Sequence, residues 1–188
     1  MKDEALINQL IERGKSAKEK VKTEFSSINE SQLNWKSHPE KWSIGQCFEH
    51  LINSDSSYFP VLKRINEGSY KMSGWTKYSP LTGMFGRMFK KQMGEQVKMK
   101  LKAPKKFFPT RSDVRMDVIE RYQKNLDTFL EYISKCRDTD LDKTIITSPV
   151  TSFVTYSLRD TLSFLISHEH RHINQAIRVK AEERFPRR

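Results

Sequence analysis

The chain has 188 residues, 36% hydrophobic and 30% charged, with 34 Lys and Arg against 23 Asp and Glu for a net charge of +11. That length suits a single domain with its own core, the aromatic content argues against disorder, and no apolar run approaches the roughly 20 residues a membrane helix needs. The charge admits nucleic acid, an anionic membrane surface or an acidic small molecule as partner, depending on where it sits.

The start, Met1-Lys2-Asp3-Glu4, turns charged and helical without a signal-like apolar region, so the cytoplasm is the expected location. From Asp3 to about Ser27, Leu6, Ile7, Leu10, Ile11, Ala17, Val21 and Phe25 recur at three- and four-residue steps and predict a first amphipathic helix. Gly14 interrupts it at a cost of about 1 kcal/mol relative to Ala. Asn29 to Lys41 reads as a connector anchored by Leu33 and Trp35.

Ser43, with Gln46 three residues on, makes a capping box in front of the run Ile44, Cys47, Phe48, Leu51, Ile52. This second helix carries His50 on the edge of its apolar stripe, and Pro60 is expected to kink or end it near Ser57 to Phe59. Residues 66–110 form an insertion rich in Gly, Pro and aromatics. A short amphipathic helix is expected over Leu81 to Lys91, and Lys98, Lys100, Lys102, Lys105 and Lys106 hold much of the positive charge.

Ser112 and Asp113 offer N-caps for a third helix, striped by Val114, Val118, Ile119, Tyr122, Leu126, Phe129, Leu130, Ile133 and Cys136. Asp138 to Tyr156 reads as a loop containing β-leaning residues. A box-like cap, Ser157 with Asp160, opens the fourth helix, striped through Leu158, Leu162, Leu165, Ile166, Ile173 and Ala176. Cys47 and Cys136 sit in apolar patterns far apart in sequence, as small core residues and not as a redox pair. The expected architecture is all-α: one four-helix bundle domain over 1–188, with long connectors.

The fourth helix concentrates three of the five histidines in His168-Glu169-His170-Arg171-His172. His168 and His172, four residues apart, project from one face and make half of a metal site, although such a pair at a charged helix end is more often merely solvated. A third ligand must come from another helix, and His50 is the remaining histidine on the inner side of a helical pattern. His170 falls off the shared face, and His38 reads as a loop residue. Gln175 shares the face of His168 and His172 and is a candidate contact to a ligand or substrate. Glu169 is a candidate general base or outer acceptor, though a solvent salt bridge with Arg171 or Lys180 is the more ordinary expectation.

Trp42-Ser43-Ile44 with Gln46, Phe48, His50 and Leu51, followed by His168-x3-His172-x2-Gln175, resembles the DinB-like superfamily of bacterial four-helix proteins, including the YfiT-type proteins. The resemblance covers most of the chain. It implies a divalent metal, zinc or nickel, held by one histidine of the second helix and two of the last, at positions matching His50, His168 and His172. The family commonly has Glu where this chain has Gln46, and the 66–110 segment matches no family function. Some relatives look like S-transferases or isomerases that use low-molecular-weight thiols, which implies a thiol S-transferase with a small-molecule substrate; a small hydrolase is the companion expectation, in a chain that could form a homodimer. Two other classes remain open on the residues alone. One is a nucleic-acid-binding or stress-response interaction protein using the Lys98 to Lys106 surface beside Phe107 and Phe108, which lacks any recognised binding motif. The other is membrane or partner association through Met84, Phe85, Met88 and Phe89 with Arg87, Lys90 and Lys91.

Overall fold

The computed structural model describes residues 2–79, 82, 113–149, 151 and 153–187. Helix α1 spans Glu4–Phe25 and begins at Asp3, whose carboxylate accepts from the Leu6 amide at 3.0 Å and satisfies one of the first-turn N–H groups. Its buried face is the expected stripe, Ile7, Leu10, Ala17, Val21 and Phe25, and Gly14 lies on that face too. A Cβ there would stand 2.4 Å from Leu130 Cδ2, so the glycine leaves room for the end of that side chain.

The connector is more ordered than the sequence suggests. It contains α2, Glu30–Asn34, closed by a capping box between Asn29 and Gln32, with Leu33 buried against the core. Helix α3, Ile44–Ser56, starts at the expected Ser43–Gln46 box, in which each side chain bonds the other's backbone N–H. It stops ahead of Pro60, and α4, Phe59–Asn66, resumes with Pro60 in its first turn, where no amide donor is required. Tyr58 and Leu62 thereby extend the buried stripe across the break.

Of the 66–110 insertion, residues 66–79 and 82 are described. They include α5, Gly74–Tyr78, and Trp75, whose indole N–H donates to the Phe153 carbonyl at 3.2 Å. The amphipathic stretch expected over 81–91 and the lysine cluster over 96–106 lie outside the described residues, apart from Thr82.

Helix α6, Val118–Ser134, begins later than the Ser112 and Asp113 caps suggest: its N-cap is Asp117, which makes no side-chain cap bond. Ser112 lies outside the described residues. The delay has a cause in Val114, whose amide donates to Asn34 Oδ1 at 2.8 Å and whose carbonyl accepts from Asn34 Nδ2 at 2.9 Å. That two-bond clamp to α2 holds Val114 buried but outside the helix.

The 138–156 loop also gains structure. Strand β1, Ile145–Thr147, pairs antiparallel with β2, Thr155–Ser157, in the register Ile145↔Ser157, Ile146↔Tyr156 and Thr147↔Thr155. The β-branched and aromatic residues noted in the sequence form this pair. Strand β2 runs directly into α7, Leu158–Lys180, with Ser157 serving as last strand residue and N-cap. The first α7 amides donate to the carbonyls of Thr144 and Leu141 at 2.8 and 3.0 Å, so the hairpin fixes where α7 starts.

Helices α1, α3, α6 and α7 make the bundle, α3 and α1 each packing on both α6 and α7. Among the described residues the fully buried apolar side chains form one core, which includes the free thiols Cys47 and Cys136; burial pushes both thiols up to about 12. No described helix is long and apolar enough to cross a membrane.

Candidate metal centre

Three histidines meet at the α3–α7 contact. His50 is buried on the inner face of α3, two turns after Ser43, so the capping box that starts the helix also sets the histidine's height. His168 and His172 project from one face of α7, as four-residue spacing requires. Their ring centroids are 4.5 Å apart and lie 5.0 and 4.6 Å from that of His50. One ring nitrogen from each lies within 4.8 Å of the other two.

His50 Nε2 and His168 Nε2 are 3.2 Å apart. Metal–nitrogen bonds of about 2.0–2.1 Å at a tetrahedral angle put two ligand nitrogens roughly 3.3 Å apart, so the spacing suits a shared cation as well as a hydrogen bond. The protonation state suits one too. Burial lowers His168 well below the usual imidazole range, and the neighbouring His172, His50 and Arg171 charges act the same way. Burial, His50 and Arg171 likewise push His172 down to about 3, against a hydrogen bond from its ring to Gln175 that favours the charged form. Both rings are therefore neutral at physiological pH, the form that binds metal. His168 Nδ1 and His172 Nδ1 are covered yet have no hydrogen-bond partner among the described residues. Three converging imidazole nitrogens, two of them on neutral rings, fit a borderline divalent ion.

Aromatic rings wall the cluster. Trp42, immediately before the Ser43 cap, lies 4.8 Å from the His50 ring and stacks on His172 at 5.6 Å with 20° between planes. Phe164, one turn before His168, stacks on it at 5.5 Å. Both were legible: Trp42 from its place next to the cap, Phe164 from its four-residue spacing.

The other expected residues divide cleanly. Gln175 is partly exposed and bonded to His172, as its shared face implies. His170 points the other way, its Nε2 3.1 Å from the Arg13 carbonyl on α1, and His38 is an exposed loop residue. Glu169 overturns the salt-bridge expectation. Arg171 is exposed, Lys180 pairs instead with Glu24 at 3.2 Å, and Glu169 is fully buried, accepting from the Tyr122 hydroxyl at 2.5 Å. The reason is helical geometry: Glu169 continues the stripe Leu162, Leu165, Ile166, Ile173, so it faces the core.

Beside it lies Asp55 of α3, also fully buried and hydrogen-bonded to the Glu169 carboxyl. Burial raises Asp55 well above the carboxylate range, and the adjacent Glu169 charge adds to this. Burial raises Glu169 as well, opposed by the bonds it accepts from Tyr122 and Asp55. Two contacting buried carboxyls hold a proton between them, and Asp55 is the donor. Sequence patterning could have found Asp55, which occupies an apolar-stripe position between Leu51 and Tyr58.

The family described as the DinB superfamily matches residues 16–176 of the chain. Neither a curated protein nor a solved structure matches it.

Proposed function

The chain belongs to the DinB superfamily, and on that footing we propose that it is a metal-dependent enzyme whose His50, His168 and His172 hold one divalent ion, zinc or nickel. The observation that carries this reading is the convergence of three ring nitrogens, from two separate helices, within 4.8 Å of one another. Three protein nitrogens leave coordination positions open, as catalytic rather than structural sites do.

When bound, the ion supplies a Lewis acid that lowers the pKa of a thiol or water and yields a nucleophile at neutral pH. The chain's own contributions are distinct from that. Burial keeps the His168 and His172 imidazoles unprotonated and ready to bind. Trp42 and Phe164 stack on the outer faces of the ligand rings, hold their planes and exclude water from those sides. Gln175, bonded to His172 and partly exposed, is placed to orient that ring and to offer a polar contact to a small molecule.

A low-molecular-weight thiol as co-substrate makes the reaction an S-transfer, and water makes it a hydrolysis. The first test is metal content by elemental analysis after purification with zinc and with nickel. About one equivalent in the parent, lost in His168→Ala and His172→Ala, is expected; a metal-free parent after supplementation removes the reading. A panel of thiols with electrophilic acceptors, run against water alone, then separates transferase from hydrolase.

A further inference from the structure

Burying a carboxylate in a helical bundle is costly unless its geometry and partners are well fixed, and apolar residues of like size are often no worse for stability. This bundle buries two carboxyls in contact, each on the apolar stripe of its helix. Glu169 Oε2 accepts from Tyr122 of α6 at 2.5 Å. Glu169 Oε1 and Asp55 Oδ1 are completely covered and accept from no donor among the described residues, and the two carboxyl groups lie close enough to bond each other once one of them carries a proton. Asn125 Nδ2 approaches Asp55 Oδ2 at 3.5 Å, while Asn125 Oδ1 accepts from Ser56 at 2.8 Å.

The three members come from α3, α6 and α7, and two of those helices carry the histidines. Glu169 directly follows His168 and precedes His172 by three residues, and Asp55 follows His50 by five, roughly 7.5 Å along α3 at the helical rise. Apolar contacts between helices are non-directional and tolerate sliding and rotation. Carboxyl–carboxyl and phenol–carboxylate bonds do not, because they weaken steeply with distance and angle. A slip of one residue between α7 and α3 would shift His168 by about 1.5 Å and turn it by roughly 100°. Either displacement destroys the 3.2 Å approach of His168 to His50.

We propose that Asp55, Glu169 and Tyr122 form a buried clasp that positions the metal ligands, setting the height and rotation of α7 against α3 and α6 so that His168 and His172 meet His50. The inference rests on the metal reading above. The clasp residues are positioning residues: they act through the histidines.

The test compares the parent with Asp55→Leu/Glu169→Leu/Tyr122→Phe and with Glu169→Gln, by zinc affinity in chelator competition, the visible spectrum of the cobalt-loaded protein and the melting temperature of the metal-free protein. The apolar triple variant is expected to fold with at least the parent's melting temperature, yet to bind zinc ten-fold or more weakly and to give an altered cobalt spectrum. Glu169→Gln keeps an acceptor for Tyr122 and a polar partner for Asp55, and is expected to stay within about three-fold of the parent. A folded triple variant with parental affinity overturns the proposal, and so does a Glu169→Gln loss as large as that of the triple variant. If the triple variant does not fold, Tyr122→Phe alone must weaken zinc binding at least three-fold, and parental affinity there overturns it. If the parent takes up no metal, the metal reading fails separately. Crystal structures of the parent and a folded clasp variant then decide: a retained His50–His168 approach near 3.2 Å overturns the clasp, and a separation several ångström longer supports it.

Discussion

The histidine cluster and the carboxyl clasp lie within a turn or so of each other on α7, both buried and both drawing a partner from α3, but they satisfy their polar atoms in opposite ways. The clasp can close on itself: the Tyr122 hydroxyl donates to Glu169 Oε2, and one proton shared between the two carboxyls completes Asp55 Oδ1 and Glu169 Oε1, which have no other partner among the described residues. The cluster does not close, because three rings converge while the Nδ1 atoms of His168 and His172 find no partner among the described residues. A self-contained polar group stabilises one arrangement of helices, and an open one is a place for something from outside. Burial alone therefore does not mark a binding site. What distinguishes the two is whether the surrounding protein completes the hydrogen bonding.

The sharpest way to break that contrast is to remove one half of the clasp. Asp55→Leu strands the Glu169 charge without its proton donor and is expected to cost about 3–5 kcal/mol, whereas Glu169→Leu leaves a neutral Asp55 acid and costs about 1–3 kcal/mol. Urea unfolding of the two variants gives the order; equal losses would mean that the proton is not held on Asp55. The histidines should behave differently. His172→Phe, which replaces one buried ring by another, is expected to change metal-free stability by about 1 kcal/mol or less, while abolishing the stabilisation of about 4 kcal/mol that a metal at a thousand times its dissociation constant confers. Thermal melts with and without zinc read both.

The two regions also differ in the sign of their pH dependence in the metal-free protein. The folded pKa values of His168 and His172 are lowered by burial, so their contribution is present above the unfolded value near 6.5 and is lost as pH falls below it. The folded values of Asp55 and Glu169 are raised by burial, so their contribution is present at low pH and is lost as pH rises. Each proton difference is worth about 1.4 kcal/mol per pH unit. Between pH 6.5 and 5 the two effects oppose. An Asp55→Asn/Glu169→Gln protein should lose stability on acidification more steeply than the parent, by about 1.4 kcal/mol per pH unit for each proton the carboxyl pair gains on folding. His168→Phe/His172→Phe should lose it less steeply or gain. Unfolding free energies measured across this range with matching slopes in all three proteins would refute the assignment.

The smallest effects concern the scaffold. In Gly45→Ala the new Cβ would stand 2.9 Å from Val114 Cβ, an atom fixed to the clamped backbone, so a loss of about 1–3 kcal/mol is expected despite better helix propensity. In Gly14→Ala the obstacle is the end of the partly exposed Leu130 side chain, which can turn away, and a change within about 1 kcal/mol is expected. Gly45→Ala should also disturb the start of α3, and with it Trp42 and His50, more than Asp55 farther along the helix. Tryptophan fluorescence gives one measure of that displacement.

Much of this was written in local patterning. The α1, α3 and α7 starts follow from side chains at Asp3, Ser43 and Ser157 that satisfy amides a few residues away, so neighbouring residues suffice to place them. The paired histidines of α7 follow from helical periodicity, and Asp55 and Glu169 stand at stripe positions where a charge is out of place. Tertiary structure decided what no local rule reaches. Val114 stays out of α6 because Asn34, 80 residues earlier, takes both of its backbone groups. Residues 145–147 become a strand because 155–157 lie beside them. Glu169 turned from a surface charge into the centre of a clasp because α3 and α6 bring it a carboxyl and a phenol. Periodicity assigns a residue to a face, but only packing determines which groups occupy the other side, and those groups decide whether a buried charge is closed off or left open to a ligand.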